Sequence, residues 1–155
     1  MPTIKRQILI SAPKESVRQY LRDLERMSDY APKVRTVSVS YPDAQSGLVE
    51  AEGRFMALPW TGSFRVDFTA DGGYRREMLR GPLPRLVGGV HLRSVAGGTV
   101  LTHEQHFQLP LPLRPLAFMW RRWLLGSMER ELHVIKEGAE ALNRKLQLQT
   151  LESPL

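Results

Sequence analysis

The hydrophobic period of this chain changes for the last time at a proline-rich link, and that change restricts the folds open to it. Before the link Pro110-Leu111-Pro112-Leu113-Arg114-Pro115, apolar and polar residues alternate in one segment after another. Val37, Val39 and Tyr41 alternate with Thr36, Ser38 and Ser40. Val49, Ala51, Gly53 and Phe55 alternate with Glu50, Glu52 and Arg54, and Phe64, Val66, Phe68 and Ala70 with Ser63, Arg65, Asp67 and Thr69. Successive side chains of a strand point to opposite faces, so each segment has one dry face and one wet face. After the link, Leu124, Met128, Leu132, Ile135, Ala139, Leu142 and Leu146 recur every three or four residues, with charged residues between them. Such spacing puts one apolar stripe on a proline-free helix of about thirty residues, roughly 45 Å long at 1.5 Å per residue.

The remaining segments fit the same scheme. Thr3 to Ile10 reads as an opening strand stopped at Ser11-Ala12-Pro13. Val17, Tyr20, Leu21 and Leu24 then recur at helical spacing, with Ser11 the expected cap, and Asp29-Tyr30-Ala31-Pro32 closes this short helical section. Tyr74 to Arg80, Gly88 to Val95 and Thr99 to Leu109 complete seven strands, separated by turns such as Asp71-Gly72-Gly73 and Ala96-Gly97-Gly98. Short turns favour antiparallel pairing. The sheet's apolar face must be covered, and only the last helix is long enough to cover it. The expected fold is α+β: a curved seven-stranded antiparallel sheet wrapped around a long C-terminal helix, with two short helices after the first strand. Residues 1–146 are expected to form one domain, with 147–155 a frayed tail.

Composition removes several classes of function. The chain has no cysteine, so disulfides and thiolate metal sites are excluded. The opening residues lack the apolar stretch of a signal peptide, and no window approaches a membrane span, so a cytoplasmic location is expected. Lys and Arg number 22 against 16 Asp and Glu, a net charge of +6, but the basic residues never run to three in succession. Nucleic-acid surfaces usually cluster them, so pairs such as Arg75-Arg76 and Arg121-Arg122 read as solvated surface.

The element order, the opening Ile8-Leu9-Ile10-Ser11-Ala12-Pro13 followed by Val17 and Leu21, the Gly97-Gly98-Thr99 turn and the long terminal helix together resemble the START-related helix-grip superfamily. More narrowly, the chain looks like the polyketide cyclase/dehydrase and lipid-transport branch. The resemblance spans nearly the whole chain. It implies the fold and leaves the ligand open, because that superfamily ranges from lipid carriers and quinone-binding proteins to hormone receptors and cyclases.

A curved sheet gripping one rod leaves concave apolar space, and a ligand site there typically measures roughly 300 to 1,000 Å³. Phe55, Trp60, Phe64, Phe68 and Met78 are the expected lining from the sheet, and Trp120 and Trp123 from the helix. On the last strand Leu101, His103, Gln105, Phe107 and Leu109 share a face, which makes His103, Gln105 and Phe107 ligand-contact candidates. His103 is also the one candidate acid/base, against the plainer reading of a core histidine satisfied by backbone or water. His103-Glu104-Gln105-His106 is not a zinc motif: it lacks the spacing and the helix, and a strand points His103 and His106 to opposite sides. Glu50 and Glu52 lie on a charged face. Gly88-Gly89 and Gly97-Gly98 lack the context of a phosphate cradle, and no serine sits in a nucleophile elbow.

No cofactor or metal is expected. The leading reading is a carrier or sensor of a hydrophobic small molecule: a lipid, an isoprenoid quinone or a polyketide-like compound. One alternative is a cofactor-free cyclase or dehydratase using His103. Another is an interaction module that binds RNA, anionic lipid or a protein through its basic surface. Residues 116–125 are apolar on most sides of their helix, which leaves the pocket mouth, peripheral membrane contact, a homodimer interface or ordinary core packing as their role.

Overall fold

The computed structural model describes residues 3–30, 34–55 and 57–152, apart from the side chain of Phe55. The chain runs through β1 (Thr3–Ile10), α1 (Lys14–Arg22), a 3-10 turn (Leu24–Arg26), α2 (Met27–Tyr30), β2 (Val34–Asp43) and β3 (Ser46–Phe55). It continues through β4 (Leu58–Phe68), β5 (Tyr74–Arg80), β6 (Arg85–Val95), β7 (Gly98–Gln108), a second 3-10 segment (Leu111–Leu116) and α3 (Ala117–Glu152).

All seven strands join one antiparallel sheet in the order β1-β7-β6-β5-β4-β3-β2. Each strand from β2 to β7 pairs with its sequence neighbour, while β1 returns to β7, from Thr3 opposite His106 to Ile10 opposite Thr99. The period-two pattern of the sequence becomes the burial pattern: on β7 Thr99, Leu101, His103, Gln105 and Phe107 are buried and the residues between them are partly exposed. α3 packs its Leu124, Met128, Leu132, Ile135 and Ala139 stripe into this face.

Two close approaches fix α1 and the β6–β7 turn. Gly98 has φ 152°, and a Cβ there would lie 2.0 Å from the Ile10 carbonyl oxygen, so both backbone angle and space require glycine. On α3, a Cβ at Gly138 would lie 2.4 to 2.6 Å from two ring carbons and the hydroxyl oxygen of Tyr20, so the α1 ring rests directly on the α3 backbone.

The structure departs from the sequence expectation at four places. Ser11 does not cap α1; Pro13 holds the N-cap position with no side-chain bond, and the Ser11 N–H donates to Glu140 Oε1 at 2.8 Å. β6 starts at Arg85 rather than Gly88, because Arg85 and Leu86 already pair with Gln108 and Phe107. The proline-rich link winds into a 3-10 segment, with the Leu113 N–H donating to the Pro110 carbonyl at 2.9 Å. α3 runs past Leu146, where the apolar stripe read from the sequence ends, to Glu152, and reaches 36 residues, about 54 Å. Ala31 and Pro32, expected to close the helical section, lie outside the described residues.

Candidate functional site

Antiparallel connection brings three segments to the same end of the sheet: the β3–β4 turn, the β5–β6 loop and the link after β7. Between them and α3 opens a cavity of about 210 Å³. Leu58, Pro59, Trp60 and Phe64 of β4 line it, as do Arg76 and Met78 of β5, Pro82, Leu83 and Leu86 of the next loop and strand, and Gln105 of β7. Met27 and Val34 close it from the α2–β2 side, and Pro110, Leu113, Trp120 and Leu124 from the link and α3. Trp60 meets Phe64 edge to face, with ring centroids 6.2 Å apart at 87°. The volume falls below the roughly 300 Å³ at which drug-sized ligand sites begin.

Two polar side chains interrupt this wall, and both are donors. Arg76 is buried on the inner face. Its guanidinium stacks 5.6 Å from the Phe64 centroid, and Nη1 donates to the Met27 thioether at 3.8 Å, a weak acceptor. Gln105 is buried as well, and its Nε2 has no hydrogen-bond partner among the described residues. An unmatched buried donor costs about 1–3 kcal/mol, so the Gln105 amide is short of an acceptor.

Behind the wall lies a second polar layer. His103, one pleat beyond Gln105 on β7, places Nδ1 3.9 Å from Oε1 of Glu131 on α3, and both side chains are buried. Neither Glu131 oxygen has a hydrogen-bond partner among the described residues. The Tyr30 and Tyr74 hydroxyls meet at 3.2 Å. Burial pushes the Tyr30 hydroxyl well above the ordinary tyrosine range, reinforced by Tyr74 and Glu131 and opposed by Arg76. Burial also raises Tyr74, again with Arg76 opposing and Glu131 reinforcing. Arg76 and Glu131 therefore both act on the same tyrosine pair.

Of the residues expected to contact a ligand, the cavity gathers Trp60, Phe64, Met78, Gln105 and Trp120. Phe68, His103, Phe107 and Trp123 are not among its lining. Phe68 is at the far end of β4, opposite Tyr74 and under the Arg22 guanidinium at 4.9 Å. Phe107 is wholly buried in the core, and Trp123 packs partly buried against it. His103 lies in the second layer facing α3. The side chain of Phe55 lies outside the described part. His106 faces away from His103, with Nδ1 2.8 Å from Thr3 Oγ1 and Nε2 2.9 Å from Glu104. Glu50 and Glu52 sit on the exposed face, against Arg80 and Thr36.

Sequence reading misses Arg76, Glu131, Tyr30 and Tyr74, although the pattern carries a signal for the first two. Arg76 stands two residues from both Tyr74 and Met78, so the alternation that turns Met78 inward turns Arg76 inward too. The Arg75-Arg76 pair is thus not all solvated surface: Arg75 is exposed and Arg76 is buried. Glu131 stands three residues after Met128 and four before Ile135, on the dry stripe of α3.

Sheet order, terminal helix and an apolar cavity between them define a helix-grip protein. Residues 1–140 match the family described as polyketide cyclase / dehydrase and lipid transport, and the chain belongs to that family. Among solved structures, TTHA0849 from Thermus thermophilus superposes with a TM-score of 0.82 at 18% identity, over 90% of this chain and 98% of that one. The Zhui aromatase/cyclase from Streptomyces sp. R1128 gives 0.71 at 18% identity over 90% and 93%. A STAR-related lipid transfer protein fragment from Xanthomonas axonopodis gives 0.67 at 14% identity over 88% and 85%. At these identities the likeness is one of fold. No curated protein matches the sequence.

Proposed function

We propose that the protein binds an apolar small molecule bearing an oxygen acceptor, a carbonyl, phenolate or carboxylate, and acts as its carrier or sensor. The observation behind this reading is the pairing of Arg76 and Gln105 in an otherwise apolar wall. A bare hydrocarbon would leave the Gln105 amide unmatched and Arg76 with only the Met27 sulfur and the Phe64 ring, whereas an oxygen placed between them would satisfy a guanidinium and an amide together. The cavity size favours one or two rings, or the head of a longer chain whose remainder lies in the mouth beside Trp60 and Trp120. Likeness in fold to both a lipid transfer protein and an aromatase/cyclase is compatible with such a ligand.

Native mass spectrometry of protein purified from cells, followed by solvent extraction, tests this reading. The expected result is a copurifying apolar compound with a carbonyl or acidic oxygen, lost in Arg76→Met. Protein that emerges empty and ignores a panel of such compounds would count against it.

A second reading, a cofactor-free cyclase or dehydratase, gains support from Glu131. A carboxylate 3.9 Å from His103 could orient the imidazole as an acid/base, while Arg76 steadies an enolate oxygen. Under this reading His103→Ala abolishes turnover, whereas a carrier loses at most some affinity.

A further inference from the structure

We infer that the mouth of the cavity docks on an anionic lipid bilayer, with the start of α3 lying in the headgroup layer. This goes beyond ligand binding and does not depend on it. The three segments at the mouth are basic and free of acids: residues 53–66, 78–90 and 105–128 contain no Asp or Glu. Exposed arginines stand at each segment, with Arg54 beside the β3–β4 turn, Arg80 and Arg85 flanking the β5–β6 loop, and Arg114, Arg121 and Arg122 on the link and α3. Of these, Arg80 pairs with Glu50 across the sheet.

Large apolar side chains project among these cations. Leu58 is 67% exposed, Leu111 74% and Phe118 71%, with Leu116 and Met119 also exposed. On the other side of the same segments, Pro110, Leu113 and Trp120 line the cavity. Mixed leucine, aromatic and arginine side chains suit the headgroup–acyl boundary, where the apolar groups insert and the guanidinium groups meet lipid phosphates. A neutral apolar partner would explain the exposed leucines but not the exclusion of acids from all three segments. A polyanion such as RNA would explain the arginines but not Leu111 and Phe118. Docked this way, the mouth opens onto the acyl layer, and an apolar ligand can pass without crossing water.

Sedimentation with vesicles tests the inference. The protein should pellet with equal parts phosphatidylcholine and phosphatidylglycerol, stay in solution with phosphatidylcholine alone, and be released by raised ionic strength. Arg121→Glu/Arg122→Glu should lower the partition by about fivefold or more per arginine. Phe118→Ser should weaken it at unchanged charge. Neither variant touches the cavity lining, and thermal melts should match the parent, so lost binding cannot be lost fold. The inference is overturned by equal binding to both vesicle types, by no binding, or by variants that bind like the parent. It is also overturned if sedimentation equilibrium shows a concentration-dependent dimer that Phe118→Ser abolishes, since a second copy would then cover this face.

Discussion

The Glu131 carboxylate on α3 lies 3.9 Å from Nδ1 of His103 on β7, each side chain about 1% exposed, so the covering helix and the sheet meet through a polar contact inside the core. Removing one member leaves the other buried against an apolar side chain, at a cost of about 1–3 kcal/mol, while replacing both members with apolar side chains of similar volume is often neutral or stabilising. His103→Leu should therefore lower stability to urea at pH 7 by roughly that amount, and His103→Leu/Glu131→Met should recover most or all of it. A double variant as weak as the single one would show that the contact does not organise this part of the core.

Arg76 carries the corresponding expectation on the ligand side. Hydrogen bonds to a charged group contribute about 1.5–3 kcal/mol, or roughly 10- to 100-fold in affinity. Arg76→Met should remove that much affinity for an oxygen-bearing ligand and leave the fold intact, because a methionine fits the space beside Met27 and Phe64. Calorimetric titration of variant and parent with the same compound reads the difference.

Two glycines of α3 should respond to alanine with opposite signs. Helix propensity alone favours alanine by about 1 kcal/mol. At Gly126 a Cβ meets only the end of the Arg130 side chain at 3.7 Å, so Gly126→Ala should raise the melting temperature. At Gly138 the same Cβ drives into the buried Tyr20 ring, and overpacking of about 1–3 kcal/mol outweighs the propensity gain. Gly138→Ala should melt lower than the parent, and Tyr20→Leu in that background should reduce the difference.

Asp71 sets an acid limit on stability. Burial works to raise its pKa, but hydrogen bonds from Thr69 Oγ1 and from the Gly73 and Leu92 N–H groups outweigh it and hold the carboxyl below its ordinary value. A lowered folded-state pKa favours folding fully above the unfolded value near 3.9, and that contribution disappears as pH falls through the folded value. Asp71→Asn should cost about 1–2 kcal/mol at pH 7. The gap between variant and parent should narrow in urea titrations taken below about pH 4.

The architecture was legible in the sequence because its two periods are strong and separate. Alternation in Val49–Ala51–Gly53 and Phe64–Val66 placed whole strands, and the Leu124–Met128–Leu132 stripe placed the helix that covers them. The site was half legible. Aromatic and sulfur-bearing members such as Trp60, Phe64, Met78 and Trp120 announce themselves by apolar character, which is also what lines the cavity. Arg76 and Glu131 share the same inward periodicity but carry charges, and a charged residue reads as solvated unless its neighbours at i±2 or i±4 are weighed first. Phe68 shows the opposite failure: period two fixes the face of a sheet and says nothing about position along the strand, so it cannot separate the cavity end from the packed end. Ser11 illustrates a third limit, since a capping residue type does not cap when the chain turns toward Glu140 instead.

The account depends most on a cavity that selects for oxygen as well as for grease, and a matched pair of probes measures that directly. Quenching of tryptophan fluorescence, with Trp60 and Trp120 in the wall, should be titrated with naphthalene and with 2-naphthoate in the parent protein and in Arg76→Met. The expected result is at least about tenfold tighter binding of the naphthoate by the parent and no preference in the variant. Equal affinities in the parent, or a preference that survives the loss of Arg76, would contradict it.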